Sequence, residues 1–92
     1  MVVKLQPTYY KNITVSTDSL KNGPAILKGM FVNSTSSGTI KIYDSLTHGS
    51  GTVVNNTITP AAGAYYPLGD AGLSVGLSVT IGGTLDVTLY FQ

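Results

Sequence analysis

Residues 76–91 read GLSVTIGGTLDVTLYF, and this stretch decides the fold class of the chain. Apolar residues alternate with small or polar residues in both of its halves, which is the period-two pattern of a strand with one buried face. Gly82 and Gly83 lie between the halves and can adopt the positive φ angles of a tight turn. The pattern predicts a β-hairpin in which residues 77–81 pair with residues 84–91.

The same alternation recurs earlier in the chain, where a second hairpin is predicted. Its arms are residues 25–33 and 38–44, joined by a polar turn. Ile40 and Ile42 are expected to face the core, whereas Tyr43, which has the opposite parity, is expected to point outward. The first arm has apolar residues on both faces, which favours a strand covered on both sides.

Three further strands complete the predicted fold. They are residues 9–16, in which Ile13 and Val15 face inward, residues 52–59, and a short edge strand over residues 64–68. Loops are predicted at the glycine-rich or polar positions between strands, residues 45–51, 60–63 and 69–72. About seven to eight short strands separated by turns are typical of a β-sandwich. The predicted fold class is therefore all-β, an antiparallel β-sandwich of the jelly-roll or Ig-like type.

The composition excludes several classes of function. The chain has 92 residues, which is enough for one domain. Charged residues make up 10% of it, against about 25% in a typical soluble domain, and the net charge is +1. A field this weak does not attract nucleic acid or an anionic membrane. The N-terminus lacks the apolar core of a signal peptide, and no run is long enough to span a membrane.

No residue pattern indicates catalysis, and the chain is predicted not to be an enzyme. The motif Gly72-Leu-Ser74-Val-Gly76 matches a nucleophile elbow, but it precedes a predicted strand instead of the required helix. The only histidine, His48, is interpreted as a solvated loop residue, with an acid/base pair to Asp44 as the alternative. One histidine without cysteine cannot supply a tetrahedral zinc site. No catalytic residue, cofactor or metal is therefore predicted.

The tyrosines and the N-terminal segment, which contains Pro7 and precedes the regular alternation, suit contacts with other proteins. The chain has six tyrosines, whose rings cover a large area at a low cost in side-chain entropy. Of two adjacent tyrosines on a strand, one is expected in the core and one outside. Residues 1–10 are interpreted as an arm that lies on a neighbouring subunit, and residues 11–92 as one domain. The candidate protein-interface residues are Val2, Val3, Leu5, Pro7, Tyr9, Tyr43, Tyr65, Tyr66 and Tyr90.

Several stretches together resemble small structural proteins of tailed phages. They are GTIKIYDS at 38–45, GTVV at 51–54, AAGAYYP at 61–67, GLSVTIGG at 76–83 and DVTLY at 86–90. The resemblance covers about residues 25–91 and consists of strand and turn patterns. It implies a capsid decoration (cement) protein or a neck or tail component, usually a β-sandwich, and it carries no catalytic residues.

The function expected from these observations is that of a capsid decoration protein that stabilises a phage head by binding the major capsid protein. Such a protein is a homo-oligomer, with a trimer favoured, on the capsid surface of the virion, and is made in the host cytoplasm. Contacts with nucleic acid or membrane are not expected. Two alternatives remain open: a neck, tail or fibre subunit, and a carbohydrate-binding adhesin module that uses the tyrosines and loops containing asparagine and aspartate.

Overall fold

The computed structural model describes residues 7–92, and the regular structure in this part of the chain consists of six strands. All strand pairs are antiparallel, which confirms the all-β antiparallel class. The strands are β1 (Tyr9–Ile13), β2 (Thr17–Asn22), β3 (Ala25–Asp44), β4 (Thr52–Ile58), β5 (Tyr65–Leu73) and β6 (Gly76–Phe91). Within residues 7–92, no helix has the length and apolar content needed to cross a membrane.

Two long strands, β3 with 20 residues and β6 with 16, form the centre of the sheet. They pair along almost their whole length, from Leu27 opposite Phe91 to Asp44 opposite Leu77. Each end of this ribbon is bordered by two short strands. Strands β1 and β5 flank one half, and β2 and β4 flank the other half.

Both predicted hairpins are wrong. Residues 25–33 and 38–44 belong to the single strand β3, and residues 77–81 and 84–91 belong to the single strand β6. The residues expected to form turns instead form a bulge, with Ser36 and Ser37 both opposite Thr84 and positive φ angles at Ser37 and Gly83. A bulge bends a strand without ending it. The strand count is therefore six in the described residues, below the predicted seven to eight.

The bend brings the two ends of β3 close together. Ala25, at its start, lies opposite Leu73 of β5, and the residues that follow Leu73 donate hydrogen bonds to Asp44, at its end. A straight strand of this length would extend about 65 Å, whereas the longest dimension of the molecule is 49 Å. Strand β3 therefore turns back toward its own beginning.

One apolar cluster contains side chains from both halves of the bent ribbon. Alternate residues of β6 contribute to it as predicted, as do Ile13, Ile40 and Ile42. Its members are Ile13, Ala25, Leu27, Met30, Val32, Ile40, Ile42, Leu73, Leu77, Val79, Leu85, Val87, Leu89 and Phe91. The inward orientation expected of Val15 is wrong, because β1 ends at Ile13 and the Val15 side chain is 67% exposed.

The remaining strands agree with the predictions in part. Strand β4 closely matches the predicted 52–59, and β5 is an edge strand, as its proline requires. However, β5 continues through residues 69–72, which were predicted to be a loop. Gly69 and Asp70 have positive φ angles and form a bulge opposite Lys28, so that pairing with β3 resumes at Ala71.

Candidate functional site

Four aromatic side chains share the surface of the sheet that faces away from the core. Tyr10 and Tyr90 lie opposite each other on β1 and β6, and Phe31 and Tyr65 lie opposite each other on β3 and β5. Opposed residues of antiparallel strands point to the same side. The intervening residue Met30 is completely buried, so these four rings point away from the core. We call Tyr10, Phe31, Tyr65 and Tyr90 the aromatic face.

A glycine shapes the aromatic face. The hydroxyl end of Tyr65 lies where a Cβ atom on Gly29 would be, so the ring extends along the sheet in space that only glycine leaves free. The centroids of the Tyr65 and Tyr90 rings are 6.2 Å apart, with their planes tilted by 54°. Tyr65 is 52% exposed and Tyr10 is 73% exposed. The face is therefore an open aromatic surface.

A polar cluster adjoins the aromatic face on the same side of the sheet. Asp86 Oδ1 accepts hydrogen bonds from Asn12 Nδ2 at 2.6 Å and from Asn33 Nδ2 at 3.0 Å. Asn33 Nδ2 also donates to Thr88 Oγ1 at 3.1 Å. Thr88 lies opposite Phe31, which places the cluster next to the rings. The two amides hold the carboxylate in place, and its Oδ2 has no hydrogen-bond donor among residues 7–92.

The predicted interface residues are spread over different parts of the molecule. Tyr65 and Tyr90 belong to the aromatic face, and Tyr9 lies on the core side of the sheet, with its ring centroid 6.4 Å from that of Phe91. Pro7 is exposed just before β1. The predicted residues Val2, Val3 and Leu5 lie outside the described residues, as does most of the predicted arm. Tyr9 and Tyr10, its last two residues, are part of β1.

Two of the tyrosines predicted to lie in a protein interface, Tyr66 and Tyr43, are partly or fully buried within the domain. Tyr66 packs partly against the core, and its hydroxyl accepts a hydrogen bond from the backbone N–H of Ala61 at 2.9 Å. This confirms the expected division of the adjacent pair, with Tyr65 outside. Tyr43 lies on the side of β3 opposite Ile42 and is not part of the core cluster, as its parity predicts, but it is covered on that side and only 6% exposed. The Lys41 ammonium lies 5.5 Å from the centroid of its ring, on the side expected to face solvent.

Sequence reasoning missed Tyr10, Phe31 and the Asp86 cluster as members of one surface. The alternation in β6 does place Asp86, Thr88 and Tyr90 together on the side opposite the core. The alternation in β6 does not indicate which residues of β1 and β3 lie beside these three, because that depends on the pairing of residues distant in sequence.

The residues considered for catalysis have other partners. Asp44 does not pair with His48, because its carboxylate accepts hydrogen bonds from the backbone N–H groups of Ser74, Val75 and Gly76 at 2.8–3.2 Å. The His48 backbone N–H donates to Asp18 at 2.8 Å, and its Nδ1 lies 3.1 Å from Thr80 Oγ1. Among residues 7–92, no three histidine, cysteine, aspartate or glutamate side chains are grouped to hold a metal ion.

The hydrogen bonds at Asp44 join the end of β3 to the connection between β5 and β6. The hydrogen bond from the backbone N–H of Ser74 is the main cause that lowers the pKa of Asp44. Partial desolvation raises this pKa, and the hydrogen bonds from Val75 and Gly76 lower it further. Because the folded-state pKa lies below the unfolded value of about 3.9, the stabilisation is complete above that pH. It is lost as the pH falls through the folded-state pKa.

We expect Asp44→Asn to lower the free energy of unfolding by about 1–2 kcal/mol at pH 7, since charge-assisted hydrogen bonds to three N–H groups are weakened. The difference between variant and wild type should shrink as the pH falls below about 4. Urea unfolding at a series of pH values measures this. Asp70→Asn is the control, because its ion pair with Lys28 is a surface contact. A difference that stays constant down to low pH would contradict the assignment.

A comparison of the chain with protein-family models, with curated proteins and with solved structures finds no match in any of the three.

Proposed function

We propose that the chain is a structural subunit of a phage virion, a capsid decoration protein that binds the major capsid protein. The observation that supports this most is an apolar surface at one end of the molecule. Tyr9, Ile26 and Val75 are large apolar residues exposed to 52%, 36% and 51%. Backbone hydrogen bonds bring Ile26 and Val75 to this end: Gly23, between β2 and β3, donates to Val75 O, and Ile26 exchanges backbone bonds with Gln92. The Lys21 ammonium of β2 lies 5.9 Å from the centroid of the Tyr9 ring.

We call the surface around Tyr9, Ile26 and Val75 the docking end. Ile26 also lines an open depression of about 250 Å³, together with Lys21, Pro24, Ala25 and Gln92. Among the described residues of that lining, Lys21 has the only charged side chain. Clustered exposed apolar residues favour contact with another protein. The predicted N-terminal arm would leave the domain here, because β1 begins at Tyr9.

We also infer that the two halves of the bent sheet pack face to face as a β-sandwich. The bend in β3 and the single cluster of buried side chains support this arrangement. A sandwich supplies a rigid body whose end can lie on a shell while its outer faces stay accessible.

We predict the effect of a double substitution in the docking end. Ile26→Ser with Val75→Ser removes apolar contact area, and we expect it to weaken binding to phage heads at least tenfold, as loss of a central apolar contact does. The purified protein is mixed at a series of concentrations with heads of the phage that encodes it, prepared without this protein. Sedimentation of the heads then measures how many copies are bound at each protein concentration. The wild type should saturate at a fixed ratio to the major capsid protein.

Val15→Ser is the matched control, because Val15 is also an exposed valine and lies in the connection between β1 and β2, away from the docking end. We expect it to bind like the wild type. If the double variant bound phage heads as tightly as the wild type, the assignment of the docking end as the binding surface would be contradicted. No binding of the wild type to heads would contradict the decoration function itself.

A neck, tail or fibre subunit is the alternative within the same class, and copy number separates the two. A decoration protein is present in many copies across the whole head, whereas a neck or tail subunit is present in far fewer copies at one vertex. Quantitative mass spectrometry of purified particles measures this number. The adhesin alternative is supported by a different surface, the aromatic face with its polar cluster.

A further inference from the structure

The aromatic face combines two kinds of chemistry that one class of ligand requires together. Its rings offer a flat, electron-rich surface, and the neighbouring Asp86 carboxylate offers a strong hydrogen-bond acceptor. A pyranose ring has polarised C–H groups on its faces and hydroxyl groups around its rim. The C–H groups are attracted to the aromatic surface, and adjacent hydroxyls can donate to a carboxylate.

The spacing of these groups fits an oligosaccharide. Asp86, Thr88 and Tyr90 are alternate residues on the outer side of β6, so the distance from the first to the last is about 14 Å at 3.4 Å per residue. This is the length of two or three linked pyranose rings. Tyr65 widens the surface beside Tyr90, and Asn12 and Asn33 hold the carboxylate at its other end.

The charges select between neutral and acidic sugars. Asp86 is the charged residue in the cluster, and the nearby Lys28 and Asp70 neutralise each other in an ion pair of 2.9 Å. A sugar carboxylate or sulfate would meet the Asp86 carboxylate, which has no ion pair within residues 7–92, and be repelled. A neutral sugar would be bound through its hydroxyls.

We propose that the aromatic face binds neutral oligosaccharides, with Tyr65 and Tyr90 stacking on the sugar rings and Asp86 accepting hydrogen bonds from sugar hydroxyls. This function goes beyond capsid decoration and is independent of it, because the aromatic face and the docking end are different surfaces. A decoration protein with this site would carry a glycan-binding surface on the outside of the shell.

Saturation-transfer NMR on the purified protein tests the proposal without any phage particle. The probes are maltotriose, cellotriose and triacetylchitotriose as neutral trisaccharides and 3′-sialyllactose as an acidic one. We expect at least one neutral probe to bind with a Kd between about 10 μM and about 5 mM, the weak range of small open sites, and 3′-sialyllactose to bind at least tenfold more weakly.

Three variants assign the binding to this face. Tyr65→Ala and Asp86→Asn should each weaken binding of the neutral probe at least fivefold. Gly29→Ala should also weaken it, because the new Cβ displaces the Tyr65 hydroxyl end while the chain keeps both binding side chains. Tyr9→Ala is the matched control, since Tyr9 has the same exposed fraction as Tyr65 but lies on the core side of the sheet.

The outcomes are distinct. Absence of binding by every neutral probe up to about 10 mM, about twice the weakest Kd expected for such a site, would overturn the proposal. It would also be overturned if Tyr65→Ala and Asp86→Asn bound like the wild type while circular dichroism showed all proteins folded. Failure of the protein to bind phage heads would affect only the decoration function.

Discussion

Leu89→Ala lowers the free energy of unfolding by about 2–5 kcal/mol, the range for a leucine truncated in a packed core. Leu89 is completely buried near the end of β6, and it lies opposite Met30 of β3 on one side and Lys11 of β1 on the other. A domain of this size has a total stability of only about 5–14 kcal/mol. The substitution therefore removes a large fraction of it.

Urea unfolding followed by circular dichroism or tyrosine fluorescence measures this effect, since the chain has no tryptophan. Val15→Ala is the control, because it also shortens an apolar side chain but at a position that is 67% exposed. We expect the control to change the unfolding free energy by less than about 0.5 kcal/mol. Equal losses of unfolding free energy in the two variants would contradict the position of Leu89 in a packed core.

Gly38→Ala destabilises the protein by about 2–3 kcal/mol, because the added methyl group has no space. Gly38 is buried at the bend of the β3–β6 ribbon. A Cβ atom there would lie 2.6 Å from the Cβ of Leu85 and would overlap the carbonyl oxygen of Thr84. Backbone atoms cannot move aside as a flexible side chain can, so the bend itself must shift.

Gly72→Ala is the matched control for this prediction. Gly72 also lies in a strand and has no positive φ angle, and a Cβ atom added to it would meet no neighbouring atom within 4 Å. Alanine loses less conformational entropy than glycine on folding, so we expect this variant to be unchanged or up to about 1 kcal/mol more stable. Thermal unfolding of both variants beside the wild type measures the difference. A Gly38→Ala protein as stable as the Gly72→Ala protein would contradict the close approach at the bend.

Much of the fold can be predicted from local alternation alone. The period-two pattern correctly identifies Leu85, Val87 and Leu89 as core residues, and it does the same for Ile40 and Ile42. It is reliable where a strand stays regular. Its error at Val15 arises where β1 ends, because parity has no meaning beyond the end of a strand.

The hairpin predictions show where local information is insufficient. A glycine at a positive φ angle is compatible with a turn and with a bulge, and Gly83 adopts such an angle within the continuous strand β6. Whether such a glycine forms a turn or a bulge depends on which strand the residues on either side of it pair with. Pairing with β3 over 15 register positions keeps β6 continuous, and this contact joins residues far apart in the chain.

The sequence by itself determined the β class, the antiparallel character and most of the side chains that are buried, because Cβ direction alternates along any strand regardless of its partners. Only the tertiary structure decided which strands pair, where the ribbon bends, and that Asp44 holds the connection between β5 and β6. It also decided that Tyr65, Tyr90 and Asp86 share one surface. Those features arise from contacts between distant residues, and the geometry of long-range pairing is not encoded in any single stretch of the chain.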